Sequence, residues 1–196
     1  MKKFIALTGG IGSGKTTALK IIKSLGYTTL SCDDVTRELY KKQSVLRRIK
    51  KIIPQAINGK LILKADKTKI AQTIFNDCEK YKEFTEYLTK LTLEKTLKKA
   101  HKIKGIAFVE VPLLLEFNAS NYFDDVIIIT RNKNDRIESV KTRSLLTDEQ
   151  VFERINSQFD YDNSDLSKYI VISNNQTQDQ LKSKIIKVLD KLKTNL

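Results

Sequence analysis

The chain has 196 residues, enough for one well-packed core with a subdomain or lid but not for two large domains. Its formal net charge of +13 suits nucleotides, phosphorylated small molecules or nucleic acid, although lysines such as Lys182, Lys184, Lys187 and Lys191 read equally well as the solvated face of a helix. Two cysteines in neither a C-x-x-C pair nor a metal-ligand spacing give no support to a disulfide scaffold or a zinc site; with no apolar run of spanning length and no room for a signal peptide before the first strand, a soluble cytoplasmic protein is expected.

The apolar run Phe4-Ile5-Ala6-Leu7 predicts a strand, and Ala18, Leu19, Ile21, Ile22 and Leu25 recur at helical spacing. Between them Gly9-Gly10-Ile11-Gly12-Ser13-Gly14-Lys15-Thr16 completes G-x-x-x-x-G-K-[ST] in the strand–loop–helix context that a phosphate loop requires. Glycines let the backbone turn its N–H groups around a polyphosphate at the positive end of the helix. Lys15 is expected on the transferring phosphate, and the Thr16 hydroxyl on a Mg²⁺ that bridges phosphate oxygens. A glycine-rich linking turn is the plainer alternative.

Gly26 ends the first helix, and Tyr27 to Ser31 reads as a short strand leading into Cys32-Asp33-Asp34. Acidic residues just past a strand's carboxyl end sit where open parallel sheets bind ligands. Asp33 is the candidate base; helix capping is the alternative reading of the Asp33-Asp34 pair. From Val35 to about Ile103 the sequence is helical and basic, broken near Pro54 and Asn58-Gly59-Lys60, with Ile70, Ile74 and Phe75, then Phe84, Leu88 and Leu91, at three- to four-residue spacing. A direct crossover needs far fewer residues, so a separate helical substrate-holding insertion is expected. His101, the sole histidine, reads as a surface or capping residue.

Ile106 to Val111 is the next buried strand, and Glu110 near its end, costly if unpaired, predicts a Mg²⁺ or Lys15 partner, or a structural pair with another basic side chain. Val126 to Thr130 is a further strand, followed by a polar helix from about Asn134 through Arg143. Arg143 and Arg154 flank a polar stretch that could close over a triphosphate, surface ion pairs being the alternative. Tyr169 to Ser173 is the last strand; Asn174 and Asn175 end it, where an amide could read adenine or simply make a turn. Leu181, Ile185, Val188, Leu189 and Leu192 mark an amphipathic closing helix. This alternation predicts an α/β protein with a mostly parallel sheet covered on both faces. Asn132-Lys133-Asn134-Asp135 imitates the guanine-reading N-K-x-D of small GTPases, but no glycine has an aspartate three residues before it, so the D-x-x-G switch is missing.

Five segments in one order resemble the dephospho-coenzyme A kinase family: Ala6 to Lys15; Ser31-Cys32-Asp33-Asp34-Val35-Thr36-Arg37, similar to D-x-D-x-x-x-R; Glu110-Val111-Pro112-Leu113-Leu114-Leu115-Glu116; Arg154 to Gln158; and Ile172 to Asn175. Ser31, Ser139 and Tyr169 depart from the family's usual Asp, Arg and Asp, and its His-Pro is absent near Leu93. The resemblance implies the fold of nucleoside monophosphate kinases and transfer of phosphate from ATP, with Mg²⁺, to the ribose 3'-hydroxyl of dephospho-coenzyme A. It implies catalytic Lys15, Asp33 and Arg143; ATP contacts from Gly10, Ile11, Gly12, Ser13, Gly14, Lys15, Thr16, Thr17, Arg143 and Asn174; acceptor contacts from Thr8, Asp33, Arg37, Leu113 and Glu116; and metal contacts from Thr16 and Glu110. Residues 1–34, 105–138 and 155–196 would form the nucleotide core, 35–104 the helical substrate domain and 139–154 the lid. A monomer acting on small molecules, with neither nucleic acid nor membrane as partner, is the expected state. The runner-up is another small-molecule or nucleoside kinase; a nucleic-acid-binding ATPase would usually add stacking aromatics along a basic groove, whereas here the aromatics mostly fall at apolar helix positions or in strands and Trp is absent.

Overall fold

The structure is a computed structural model that describes residues 2–142 and 147–194. Continuous apolar runs, rather than alternating ones, make its central strands, because both faces of those strands are covered. The first, β1 (Lys2–Thr8), is buried from Phe4 through Thr8. Helix α1 (Lys15–Ser24) follows the phosphate loop and stops at Gly26, whose φ of 88° lets its amide and that of Tyr27 bond back to Lys23 and Ile22. Next come β2 (Thr28–Ser31) and α2 (Cys32–Leu39). After α3 (Gln43–Ile52) and a 3-10 turn begun by Pro54, a short antiparallel hairpin of β3 (Ile57–Asn58) and β4 (Lys64–Ala65) leads to α4 (Lys67–Asn76) and α5 (Cys78–Ala100). The remaining elements are β5 (Gly105–Glu110), β6 (Asp125–Thr130), α6 (Lys133–Lys141), α7 (Asp148–Asn156), β7 (Ile170–Ser173) and α8 (Gln178–Thr194).

The main sheet has the order β2-β5-β1-β6-β7, and its registers Leu7↔Glu110, Thr8↔Ile128 and Thr130↔Ser173 are parallel. Chain order reverses at β1, so the crevice beyond its carboxyl end is where a ligand fits. This is the α/β architecture expected from the sequence. One face packs Ile5, Leu7, Phe108, Ile127 and Ile129 against Ala18 and Ile22 of α1 and Leu181, Ile185 and Leu189 of α8.

Contacts group the chain into two compact units, residues 2–30 with 100–194 and residues 31–99. The second has its own core, with Val35, Leu39, Leu46, Ile49, Ile53, Ile57, Leu63, Ile70 and Phe84 buried together. The helical expectation for this stretch missed the β3–β4 hairpin, which occupies the break at Asn58-Gly59-Lys60. Cys32 is buried with Sγ 3.6 Å from Thr96 Oγ1, Cys78 is exposed, and both are thiols. His101 is exposed and meets Phe4 edge-on, consistent with a surface residue. Among the described residues, no helix is long and apolar enough to cross a membrane.

Candidate active site

The carboxyl ends of β1 and β5 bring the first predicted constellation together. Gly14 caps α1 in a left-handed conformation, φ 96°, and the Ser13 amide closes a turn onto the Gly10 carbonyl at 3.2 Å. Lys15 Nζ donates to the Gly9 and Gly10 carbonyls at 2.7 and 2.9 Å, which holds the ammonium over the loop. Thr16 Oγ1 donates to Glu110 Oε1 at 3.0 Å, and Glu110 is almost wholly buried. Two hard oxygen groups side by side suit a Mg²⁺ whose remaining ligands are phosphate and water. Thr17 lies half-buried in the first turn of α1.

The loop is braced by residues that sequence reasoning gave no such role. Arg136 on α6 is 3% exposed; its Nε donates to the Ile11 carbonyl at 3.2 Å, and Nη1 pairs with Asp162 at 3.5 Å. Gln158, just past α7, accepts the Ile11 amide on Oε1 at 2.6 Å. Both backbone polar groups of one loop residue, Ile11, are thereby fixed. The fit leaves no space: a Cβ on Gly10 would lie 2.5 Å from the Arg136 guanidinium, and one on Gly12, φ 77°, 2.5 Å from the Arg136 carbonyl. Gln158 falls in a segment marked by the resemblance, whereas nothing local marks Arg136, whose loop partner is 125 residues away in sequence.

Asn174 donates its side-chain amide to the Ser13 carbonyl at 2.8 Å, so this nitrogen supports the loop. The GTPase-like tetrapeptide is a helix start: the Asn132 amide donates to Asn175 Oδ1 at 2.8 Å, and Asp135 lies in the first turn of α6. Leu113 takes the left-handed conformation, φ 57°, in the turn after β5, a conformation uncommon outside glycine and often kept at functional sites. Glu116 Oε1 accepts the Phe159 amide at 3.0 Å. Thr8 is fully buried at the end of β1.

Val151 and Ile155 of α7 pack on Val140 of α6 and against Ile11, so the expected lid segment includes a helix seated beside the loop. Arg154 is half-buried on α7; Arg143 lies outside the described residues. A cavity of about 370 Å³ opens beside these helices, lined by Lys133, Arg136, Asn156 and Tyr161 among others. The Asp160 carboxyl at its wall is held below its ordinary pKa, first by the Asn163 side chain and then by backbone amides.

In the second unit Asp33 is exposed at the second position of α2. Ser31 occupies the cap position, so the capping alternative for Asp33 and Asp34 fails there. Arg37 pairs with Asp34, one turn away, rather than with Asp33. The same face of α2 borders a groove of about 850 Å³, where Lys41, Lys64 and Lys67 join Arg37.

Comparison with known proteins follows the same lines. The sequence model of the dephospho-CoA kinase family matches residues 3–180. The dephospho-CoA kinase of Lactobacillus acidophilus is 29% identical over 202 aligned residues, covering 98% of each chain. The solved dephospho-CoA kinase from Campylobacter jejuni superposes with a TM-score of 0.73 at 25% identity over 100% of both chains. A Thermus thermophilus structure, at 23% identity, shares the fold with a TM-score of 0.82 over 97% of this chain and 98% of its own.

Proposed function

Because the chain belongs to the dephospho-CoA kinase family, whose members move a phosphoryl group from ATP to dephospho-CoA in the final step of coenzyme A synthesis, we propose how its own residues carry that reaction. The loop from Gly10 to Thr17 cradles the triphosphate, the Ile11 and Ser13 amides being taken by Gln158 and the Gly10 carbonyl, and Lys15 leaves the Gly9 and Gly10 carbonyls to follow the charge of the transferring group. Thr16 and Glu110 hold Mg²⁺, which, when bound, neutralises phosphate charge. Asn174 keeps Ser13 in place and bounds the nucleotide side of the loop. Asp33 accepts the proton of the ribose 3'-hydroxyl as it attacks, a contribution of about 10²- to 10⁴-fold for a well-placed base. Arg37, with the lysines of its groove, supplies positive charge for the acceptor's diphosphate, while Thr8, Leu113 and Glu116 position the acceptor from the first unit.

Residues 31–99 serve as the acceptor-holding unit, and 139–154 as a lid from which Arg143 and Arg154 reach phosphate oxygens. A monomer in the reducing cytoplasm completes this reading, in keeping with two unbridged thiols.

The observation that carries the proposal is the Thr16–Glu110 hydrogen bond, because it joins the phosphate loop to a neighbouring strand end and sets two oxygen ligands of the proposed metal side by side. ADP release by the purified protein, assayed with dephospho-CoA, nucleosides, nucleoside monophosphates and shikimate, tests it. Turnover of dephospho-CoA far above the others is expected; turnover of another acceptor alone overturns it.

A further inference from the structure

Residues 157–163 follow α7 with neither helix nor strand, a kind of segment that is ordinarily the more mobile part of a fold. Here it is tied down along its length. Within it the Asp160 carboxylate accepts the Asp162 and Asn163 amides, both at 3.1 Å, and the Phe159 and Tyr161 rings meet edge-on, 5.2 Å between centroids. Four further bonds lead out of it to four separate elements. Gln158 Oε1 accepts the Ile11 amide of the phosphate loop, the Phe159 amide donates to Glu116 in the turn after β5, the Tyr161 hydroxyl bonds to that of Thr8 at the end of β1, and Asp162 pairs with Arg136 of α6. Each partner lies in the phosphate loop, packs on it, or stands at the carboxyl end of a strand beside it.

Two of these bonds reach the same stretch of loop indirectly. Arg136 Nε holds the Ile11 carbonyl, and its guanidinium lies so close to Gly10 that an added Cβ would fall 2.5 Å from Nη2 and 2.8 Å from Cζ. A cation buried to 3% exposure is costly without an anion, and Asp162, half exposed, supplies one at Nη1. Because the guanidinium is planar and rigid, fixing its outer end orients the end that sets Gly10 and Ile11. Tyr161 works from the other side. Its phenol is 5% exposed and pushed above its ordinary pKa by burial, so it keeps the proton it shares with the fully buried Thr8. Thr8 adjoins Gly9, whose carbonyl, with that of Gly10, holds the Lys15 ammonium.

We propose that residues 158–162 form a strut that sets the shape of the phosphate loop, with Asp162 and Tyr161 as positioning residues that act through Arg136 and Thr8. A loop held in its binding shape beforehand spares the nucleotide the entropy of ordering it. The proposal rests on the kinase reading above for the loop's role, and nucleotide binding tests it with no acceptor present.

The experiment is calorimetric titration with ADP and Mg²⁺ of the wild type, Asp162→Asn, Asp162→Glu, Tyr161→Phe, Arg136→Met and the double variant Asp162→Asn/Arg136→Met, with the melting temperature of each. Asp162→Asn should weaken ADP about fivefold, Asp162→Glu should recover part of that, and Tyr161→Phe should weaken it about threefold. In the double variant the affinity should equal that of Arg136→Met alone, since the aspartate acts through the arginine, whereas independent sites add. With both substrates, Asp162→Asn should raise the KM for ATP and leave that for dephospho-CoA in place.

Variants that melt lower yet bind ADP as the wild type does overturn the proposal, because the segment would then only stabilise the fold. Additive losses in the double variant overturn the route through Arg136. Should Asp162→Asn fail to fold, Tyr161→Phe, which loses a single oxygen, decides by the same ADP measurement. A wild type that binds ADP but never phosphorylates dephospho-CoA is a separate result, and it counts against the kinase reading rather than the strut.

Discussion

The two peptides that flank the Ile11 Cα are both held, the Ile11 amide by Gln158 and the Ile11 carbonyl by Arg136. Each bond fixes a loop dipole, and a hydrogen bond from a charged group contributes about 1.5–3 kcal/mol. Replacing Arg136 by Met keeps bulk and removes the donors; we expect the KM for ATP to rise about tenfold or more, with Arg136→Lys recovering part of it, as steady-state kinetics would show. Asp33→Asn should lower turnover about 10²-fold and leave ATP binding by calorimetry unchanged, because the base acts only on the acceptor. Near-normal turnover would remove Asp33 from the chemistry. The loop was legible because its contacts are carried by one continuous segment with its own spacing. Arg136 was hidden because its role exists only after folding brings α6 to the loop, and on sequence alone it is one more cation in a basic chain. The burial of Tyr161 was equally silent, since a tyrosine in a polar stretch carries no mark of it.

At the level of elements, the strands followed from their apolar runs to within a residue or two, because a parallel sheet covered on both faces leaves little room for polar positions. The β3–β4 hairpin escaped because two-residue strands carry no period, only the turn that joins them. Helix α7 shows what a capping signal contributes: Thr147 accepts the Gln150 amide and the Gln150 side chain returns to the Thr147 amide. Thr147→Ala should cost about 1 kcal/mol. Hydrogen exchange in residues 148–156 should speed up accordingly, while α1 and α8, in another cluster, keep their rates. Uniform rates across α7 in both proteins would show that the cap does not hold this helix.

For the whole molecule, two separate cores imply two stabilities. ATP bound by the first unit adds about 2.7 kcal/mol at a hundredfold excess over its Kd, so thermal unfolding followed by hydrogen exchange should show protection rising first in residues 2–30 and 100–194. Equal gains in both units would mean that they unfold as one. Acid acts through the surface. Glu38, Asp77, Glu149, Asp160 and Asp165 all have lowered pKa values, foremost through Lys99, Lys80, a backbone amide at Glu149, the Asn163 side chain and the Ser167 amide respectively. A carboxyl whose folded pKa is depressed gives stability that is complete above its unfolded value, here 3.8 to 4.5, and is lost as pH falls through the folded one. The melting temperature should therefore hold near neutrality and decline as pH drops below about 4.5, with Asp160→Asn removing part of that decline. A melting temperature flat to pH 3 would contradict it. The two cysteines of the second unit offer an unengineered clock on this behaviour. A thiol-specific alkylating reagent meets Cys78 at once, but reaches Cys32 only when α2 lifts from Thr96. The mass gained in the slow step therefore times how often the segment carrying Asp33 breathes.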